Sequence, residues 1–171
     1  MDTGIYTIGH STHSFNEFIA ILSGYAIEIV VDVRTVPRSR HNPQFDAELL
    51  ESDLKKHDIR YVHVKELGGL RHANKISVNT GWENQSFRGF ADYMQTPEFE
   101  RGLEKIIDIV HSGRTALMCA EAVPWRCHRS LIADSLVIRN IPVEHIMGMK
   151  KSLRHKITPW AKIAGNTITY P

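Results

Sequence analysis

The 171-residue sequence has only two cysteines, almost no excess of one charge and no long apolar run. A formal net charge of +2 argues against a protein coated in positive charge for nucleic acid, but leaves a local basic patch open. No apolar run is long enough to cross a bilayer, and residues 1–10 lack the basic-then-apolar plan of a signal peptide. We therefore expect a cytoplasmic protein without a membrane segment, folded as a single domain over residues 1–171.

Apolar segments alternate with amphipathic segments along the chain. The strands are predicted at 5–10, 27–33, 59–64, 115–120 and 142–147, with a weaker strand in the closing NTITYP. The helices are predicted at 14–25, 46–57, 89–95, 97–112 and 127–140. This alternation favours parallel βαβ units. We therefore expect an α/β three-layer sandwich with a mainly parallel sheet of about five strands and helices on both faces.

Two helix starts carry clear signals. Ser14 and Glu17 have the spacing of a capping box, in which each side chain accepts from the other residue's backbone N–H. Thr96 is placed to cap the fourth helix, and Pro97 occupies its first position. Residues 65–88 form the longest irregular stretch, which is typical of a functional or mobile loop.

Polar side chains cluster where the predicted strands end. In open parallel sheets, ligands bind outside the carboxyl ends of the strands. The residues at these ends are His10 after the first strand, Asp32 and Arg34 after the second, Glu66, Gly68 and Gly69 after the third, Cys119 and Glu121 after the fourth, and His145 near the fifth. The sequence therefore predicts one polar crevice at this edge of the sheet.

Both cysteines fall within the segment CAEAVPWRCHR, residues 119–129. Cys127 stands at the start of the last long helix, where the helix dipole and unpaired N–H groups favour a thiolate. Arg126, His128 and Arg129 add positive charge nearby. These features indicate a nucleophilic cysteine. The competing interpretation is that the two cysteines are small, buried and inert.

The segment DVRTVPRSR, residues 32–40, supplies one carboxylate and three guanidinium groups. We expect Asp32 to pair with Arg34 or Arg129, which leaves Arg38 or Arg40 to bind a phosphate or carboxylate. The competing interpretation is an internal ion pair with the other arginines in solvent.

Three further features have both a functional and a structural interpretation. His10 and Ser11 lie in TIGHS, where glycine permits a sharp turn at a ligand. A histidine that is hydrogen-bonded to a neighbouring loop is an equally good interpretation of His10. Gly68 and Gly69 predict either a close backbone approach or a flexible turn. Trp82 and Trp125 either stack on a planar substrate ring or pack in the core.

Other chemistries of the cysteine segment remain as alternatives. Arg126 lies seven positions after Cys119, one more than the spacing of cysteine-dependent phosphatases, but an anion-binding loop before a helix is still consistent with the sequence. Cys119, Cys127, His128 and His10 offer enough ligands for zinc, although the close CxxC pair of structural sites is absent. A reversible Cys119–Cys127 disulfide is a third alternative.

The sequence resembles the Domain of Unknown Function 488 family over nearly its whole length. The resemblance is carried by TIGHS, DVRTVPRSR, LGG, FADYM, VEHIM and TITYP, and above all by CAEAVPWRCHRSLIADSL. Cys119-Ala120-Glu121, Pro124 and Cys127-His128-Arg129 match the pattern without departure. The resemblance implies an α/β fold and a shared polar site, and it implies no particular reaction.

We interpret the sequence as an enzyme acting on an anionic substrate, such as a nucleotide or a base in nucleic acid. Cys119 or Cys127 would be the nucleophile or redox thiol, Glu121, His128 or His10 would move protons, and Asp32 would orient an arginine. The predicted substrate-binding residues are Arg34, Arg38, Arg40, Arg129, Ser11, Gly68 and Gly69. The alternatives are a non-catalytic module that binds a nucleotide or nucleic acid, and a metal-stabilised structural domain. The sequence specifies no cofactor, partner chain or oligomeric state.

Overall fold

The computed structural model describes residues 4–171, so residues 1–3 of the segment inspected for a signal peptide lie outside it. Its main sheet has six strands in the order β3-β2-β4-β1-β5-β6. These are β1 (Ile5–Gly9), β2 (Ile29–Asp32), β3 (Arg60–His63), β4 (Thr115–Cys119), β5 (Val143–Gly148) and β6 (Lys151–Arg154). The first five strands pair in parallel, and β6 pairs antiparallel with β5. The mixed α/β, mostly parallel architecture is therefore confirmed.

The sheet has one strand more than the sequence predicted. The residues of β6, KSLR, are all exposed, so this edge strand lacks the apolar alternation that would identify it. A separate two-stranded sheet follows, formed by β7 (Lys162–Ala164) and β8 (Thr167–Thr169). The latter corresponds to the weak strand predicted in NTITYP.

Five α-helices lie where helices were predicted. They are α1 (Phe15–Gly24), α2 (Ala47–Lys55), α3 (Gln85–Tyr93), α4 (Pro97–Val110) and α5 (Arg129–Val137). The capping box is confirmed, since the Ser14 hydroxyl accepts from the backbone N–H of Glu17 at 3.1 Å and the Ser14 N–H donates to the Glu17 carboxylate at 3.2 Å. Helix α3 begins four residues earlier than predicted because the Asn84 side chain caps it, accepting from the N–H groups of Ser86 and Phe87.

Alternate residues of the central strands enter two different apolar clusters. Val30 and Met118 belong to a cluster with buried residues of α1 and α2, whereas Val31 and Leu117 belong to a cluster with buried residues of α3, α4 and α5. Such alternation is what strands covered on both sides require. Burying each of these large side chains contributes about 1.5–3 kcal/mol to stability.

The connections of β1 and β4 lead to helices of different apolar clusters. These two strands are neighbours, but β1 leads into α1 of the first cluster and β4 leads into α5 of the second. Segments that leave adjacent strands toward different helices diverge, and the gap between them is the usual ligand site of open α/β sheets. Just past the strands the two segments stay paired, because the backbone N–H groups of His10 and Ser11 donate to the carbonyls of Cys119 at 2.8 Å and Ala120 at 3.0 Å.

The long segment 65–88 is irregular but anchored. The carboxylate of Asp92 accepts hydrogen bonds from the Asn74 backbone, the Ser77 hydroxyl and the Asn79 side chain. Asn79 is fully buried and in turn accepts from the backbone of Tyr170. One buried carboxylate thus holds this loop against α3 and the end of the chain.

Within residues 4–171, no helix has the length and apolar character needed to cross a membrane.

Candidate functional site

The two cysteines meet at the carboxyl end of β4. Cys119 is the last residue of β4 and Cys127 lies two residues before α5. Their Sγ atoms are 2.8 Å apart, and both cysteines are free. Both are buried, with 2% of Cys119 and 7% of Cys127 exposed. The predicted proximity of strand end and helix start is therefore confirmed, and the sulfurs lie close enough to share a proton.

The surroundings of the pair favour a thiolate on Cys127. A hydrogen bond from Cys119, helped by the adjacent His128, holds the pKa of Cys127 well below its usual range despite burial. Burial and the neighbouring sulfur raise the pKa of Cys119. Cys119 therefore keeps its proton, which forms the hydrogen bond to the Cys127 sulfur. The backbone N–H of Arg129, at the start of α5, further stabilises the Cys127 anion.

His128 is oriented as the charge partner of this thiolate. Its Nε2–H donates to the Val33 carbonyl at 2.8 Å, which turns Nδ1 toward the Cys127 Sγ at 3.4 Å. Burial opposes a charged imidazole, but the Cys127 sulfur outweighs it and raises the pKa of His128. Both pKa shifts act in the direction of a thiolate and an imidazolium, the activated state of many nucleophilic cysteines.

Asp32 and Arg34 form a buried ion pair beside the cysteines. Arg34 Nε lies 2.9 Å from one Asp32 oxygen and Nη2 lies 2.7 Å from the other. Arg34 Nη2 also donates to the Phe45 carbonyl at 2.7 Å, and the Tyr61 hydroxyl donates to Asp32 at 2.6 Å. Burial and the Asp32 charge raise the pKa of Tyr61, so its phenol remains a donor. The predicted pairing of Asp32 with Arg34 is confirmed.

His10 is committed to holding Arg34. Its Nδ1–H donates to the Ser11 carbonyl at 2.9 Å, and Nε2 faces Arg34 Nη1 at 3.4 Å. The ring stacks on Phe45 at 4.3 Å, and burial lowers the pKa of His10 to about 4. A neutral imidazole with both nitrogens engaged is a positioning group, which is one of the two interpretations given to His10.

A cavity of about 440 Å³ opens onto the cysteine pair. Residues with ionisable side chains that line it are Arg34, Arg38, Cys119, Glu121, Arg126, Cys127 and His128. Val36, Leu70 and Phe87 add an apolar wall. The cavity therefore combines the two cysteines with three arginines and an apolar wall.

The two glycines of LGGLRH allow the loop to contact the site. A Cβ atom at Gly69 would lie 2.5 Å from His128 Nδ1, and one at Gly68 would lie 2.4 Å from the Thr35 hydroxyl. Both distances are shorter than any side chain tolerates. The close-approach interpretation of this turn is therefore confirmed, and Gly69 covers the face of His128.

Arg129 does not line the cavity, although its guanidinium was predicted to bind an anion. It is fully buried and donates to the Thr7 hydroxyl and to the carbonyls of Glu121 and Ala122. These bonds fix the loop between the cysteines to β1. Its place in the fold is that of an internal brace.

The other predicted substrate-binding residues vary in position. Arg38 lines the cavity but also pairs with Glu48 at 3.5 Å on the surface. Arg40 is exposed and does not line the cavity. Ser11 does not line the cavity either, and its backbone adopts a left-handed conformation with a φ of 49°. Glu121 is exposed and lines the cavity through the loop between the cysteines.

Arg126 is the lining cation that the predicted substrate-binding set left out. Its position directly before Cys127 was a usable signal, because a residue one place from a buried thiol at a crevice tends to face the same opening. In residues 4–171, no group of three or more His, Cys, Asp and Glu side chains is arranged to hold a metal ion. The zinc alternative thus has no ligand set among the described residues.

Comparison with known proteins gives one match. A family model described as a domain of unknown function, DUF488, matches residues 14–136. No curated protein and no solved structure matches the chain.

Proposed function

The chain belongs to the DUF488 family of domains of unknown function, and we propose that it is a thiol-dependent enzyme in which the Cys127 thiolate attacks a small anionic substrate. The observation that carries the proposal is the pairing of the Cys127 Sγ with His128 Nδ1 at 3.4 Å and with the Cys119 Sγ at 2.8 Å. A cysteine that is only packed in a core needs no such charge partner.

The cationic lining supports an anionic substrate. Arg126 and Arg38 are exposed at the cavity, and Arg34 contributes a guanidinium whose Nε and Nη2 are already held by Asp32. Since Arg34 is held from behind by a buried carboxylate, it can orient a ligand without first being ordered. Arg126 and Arg38 would draw the anion in, and His128 would lie beside it.

The chemical step follows from the charge on Cys127. Its sulfur forms a bond to an electrophilic atom of the substrate, and the leaving group departs with the electron pair of the broken bond. The His128 imidazolium can supply the proton that the leaving group needs. Cys119 retains its proton through this step and stays in contact with the Cys127 sulfur. Water then attacks the adduct, its proton passes to the now neutral His128, and the substrate group leaves as the hydroxylated product while the Cys127 thiolate is regenerated.

Several broader features belong to the same proposal. Two apolar clusters built on alternate strand residues support a three-layer sandwich. We treat residues 1–171 as one domain. A cytoplasmic location fits two free cysteines in contact, because such a pair remains reduced in a reducing compartment.

Alkylation with iodoacetamide, mapped by mass spectrometry, tests the nucleophile. We expect Cys127 to be labelled at nearly the same rate at pH 6 and pH 8, because its lowered pKa keeps it ionised, while Cys119 is labelled only after denaturation. An ordinary thiol would lose about tenfold in rate for each pH unit below its pKa. In His128→Asn, labelling at pH 6 should fall by roughly tenfold and should recover at alkaline pH.

The Cys119→Ser and Cys127→Ser variants identify which sulfur is labelled. Slow and equal labelling of both cysteines, with the pH dependence of an unfolded peptide, would overturn the nucleophile. A thermal-shift screen of small anions then separates catalysis from binding. Anions that stabilise the wild type and the double Cys→Ser variant equally, with none converted by the wild type, would mark a non-catalytic binding module instead.

A further inference from the structure

A second cavity, of about 440 Å³, lies on the other side of the segment that carries Cys127. It is lined by the three tryptophans of the chain, Trp82, Trp125 and Trp160. Trp82 and Trp160 meet edge to face at 5.0 Å between ring centroids. Trp125 and Trp160 are 60% and 46% exposed. Tryptophans that serve only to pack a core are more buried than this. An open cavity with indole walls suits a planar ring.

The ring nitrogens of both histidines of this cavity are engaged in hydrogen bonds. Arg129 donates to the Thr7 hydroxyl, which therefore donates to His145 Nδ1 at 2.6 Å. His145 Nε2–H donates to His155 Nδ1 at 2.8 Å, and His155 Nε2–H donates to buried Asp134 at 2.7 Å. Burial lowers the pKa of His145 to about 3, in agreement with this direction of donation. Since each ring nitrogen has a partner, neither histidine has a free nitrogen for a ligand in this cavity.

Positive charge surrounds the aromatic walls. Residues 148–171 contain five Lys and Arg residues and no Asp or Glu, although the whole chain has a net charge of only +2. Arg154 and Lys156 line the cavity, and the residues of β6 and β7 are all exposed. Arg154 also forms an ion pair with Glu144 at 2.9 Å. Lys156 has no acidic partner among residues 4–171 and is therefore the cavity cation that can bind an anion. The surface therefore combines ring stacking with attraction for anions.

We propose that this cavity and the basic segment 148–171 bind a nucleobase next to its phosphate, as presented by single-stranded nucleic acid. Stacking of bases on aromatic side chains along a cationic surface is the general mode of single-strand binding. A free nucleotide presents the same chemistry, but the cations extend along β6 and β7 beyond the cavity, and this extent favours a strand. The inference does not rest on the thiol chemistry. The segment 124–130 separates the two cavities, with Trp125 lining one and Arg126 and Cys127 lining the other.

Quenching of tryptophan fluorescence tests the proposal on the full chain. The probes are a short single-stranded oligodeoxythymidylate, an abasic strand of equal length and thymidine monophosphate. We expect the base-bearing strand to quench fluorescence and to bind more tightly than the abasic strand. Trp160→Ala should weaken binding of the base-bearing strand by about tenfold or more, because one base–aromatic stack is lost. Trp160→Phe, which keeps a ring, should lose less.

Salt dependence tests the cationic part separately. In Lys156→Gln, the slope of the logarithm of the binding constant against the logarithm of salt concentration should decrease in magnitude by about 0.7, the value for one phosphate contact with a single strand. Lys55→Gln, at an exposed site at the end of α2, is the matched control and should leave the slope unchanged. The Cys119→Ser, Cys127→Ser double variant should bind the strand as the wild type does.

The outcomes separate cleanly once circular dichroism has confirmed the fold of each variant. Equal affinity for the abasic and base-bearing strands would overturn the proposal, because charge alone would then explain binding. Unchanged affinity in Trp160→Ala, or no quenching by any probe, would overturn it as well. Binding of thymidine monophosphate as tight as that of the strand would support the base pocket and assign it to a free nucleotide. If Trp160→Ala does not fold, the Lys156→Gln slope decides: an unchanged slope overturns the proposal.

Discussion

At the scale of single residues, the protein keeps several ionisable groups in the state that burial and their neighbours dictate. Cys127 and Cys119 have the same side chain, but their pKa values move in opposite directions because one accepts the hydrogen bond that the other donates. His128 and His10 differ in the same way. His128 faces a sulfur anion, which raises its pKa, whereas His10 is buried against Arg34 and its pKa falls.

The buried neutral histidines predict an acid-sensitive stability. The pKa of His10 falls from 6.5 to about 4 in the folded protein, and that of His145 falls to about 3. Between these values and pH 6.5 the unfolded chain binds more protons than the folded one. The free energy of unfolding should therefore be highest above pH 6.5 and fall as the pH drops toward 4, by about 2–3 kcal/mol for each histidine at most.

Urea denaturation at a series of pH values measures this loss. Glu17, Glu66 and Asp92 have lowered pKa values and lose their stabilising contribution only near pH 4 and below, so these carboxylates contribute little between pH 6.5 and 5. Cys127, whose pKa is also lowered, adds to the slope in the same interval, and a variant at position 10 identifies the share of His10. His10→Gln should make the pH dependence in this interval shallower. A free energy of unfolding that stays constant from pH 7 to 5 would contradict the assignment of neutral buried histidines.

The identity of the candidate residues could be predicted from the sequence, but not their exposure. Cys119, Cys127 and His128 can be identified from the sequence because they lie close together, at the end of a predicted strand and the start of a predicted helix. Arg129 belongs to the same motif, yet its acceptor Thr7 lies 122 residues away, and a local pattern carries no information about that contact. Arg40 was equally plausible beside Arg34, but it does not line the cavity.

At the scale of elements, the loop after β3 shapes the cysteine site. The backbone of Gly69 lies against the His128 ring, and the Leu70 N–H donates to the Thr35 hydroxyl at 3.0 Å. The second and third strands therefore contribute to the site by holding a loop against His128, in addition to supplying Arg34.

Gly69→Ala should displace His128 and slow the alkylation of Cys127. The added methyl group would lie 2.5 Å from His128 Nδ1, so the ring or the loop must move, and the thiolate loses its charge partner. We expect a rate at pH 6 reduced by roughly tenfold, as for loss of the imidazolium itself. Gly148→Ala is the matched control, because a Cβ atom there meets nothing within 4 Å. Equal rates in the two variants would show that this contact is not needed.

Most elements could be predicted from the sequence because their signals are local. The capping box at Ser14 and the proline at position 97 marked the starts of α1 and α4, and apolar runs marked the five parallel strands. Strand β6 was missed because pairing with β5, and not its own apolar pattern, makes it a strand. The start of α3 was missed because Asn84 lies inside a long polar stretch that offers several equivalent capping residues.

At the scale of the whole molecule, Arg129 connects the two cavities. Through Thr7 it starts the hydrogen-bond chain to His145, His155 and Asp134, and through the carbonyls of residues 121 and 122 it fixes the loop between the cysteines. One buried cation thus supports both surfaces, which explains why an arginine is placed where no solvent reaches it.

Arg129→Lys should destabilise the whole protein. A lysine keeps the charge but cannot satisfy three separate acceptors, so buried oxygens lose their donors, at a cost of about 2–3 kcal/mol. Arg101→Lys, at an exposed position of α4, is the matched control and should change the free energy of unfolding by less than about 0.5 kcal/mol. Urea denaturation measures both variants. A variant at position 129 as stable as the control would rule out the bracing role.

The contact between the two sulfurs has a further consequence. Because a single hydrogen is held between them, Cys119 and Cys127 ionise as a dyad, like paired carboxylates: the first proton leaves early and the second is retained far into the alkaline range. The dyad therefore favours a single negative charge on the Cys127 sulfur, beside His128. Loss of the second proton is opposed because it would place two like charges in contact.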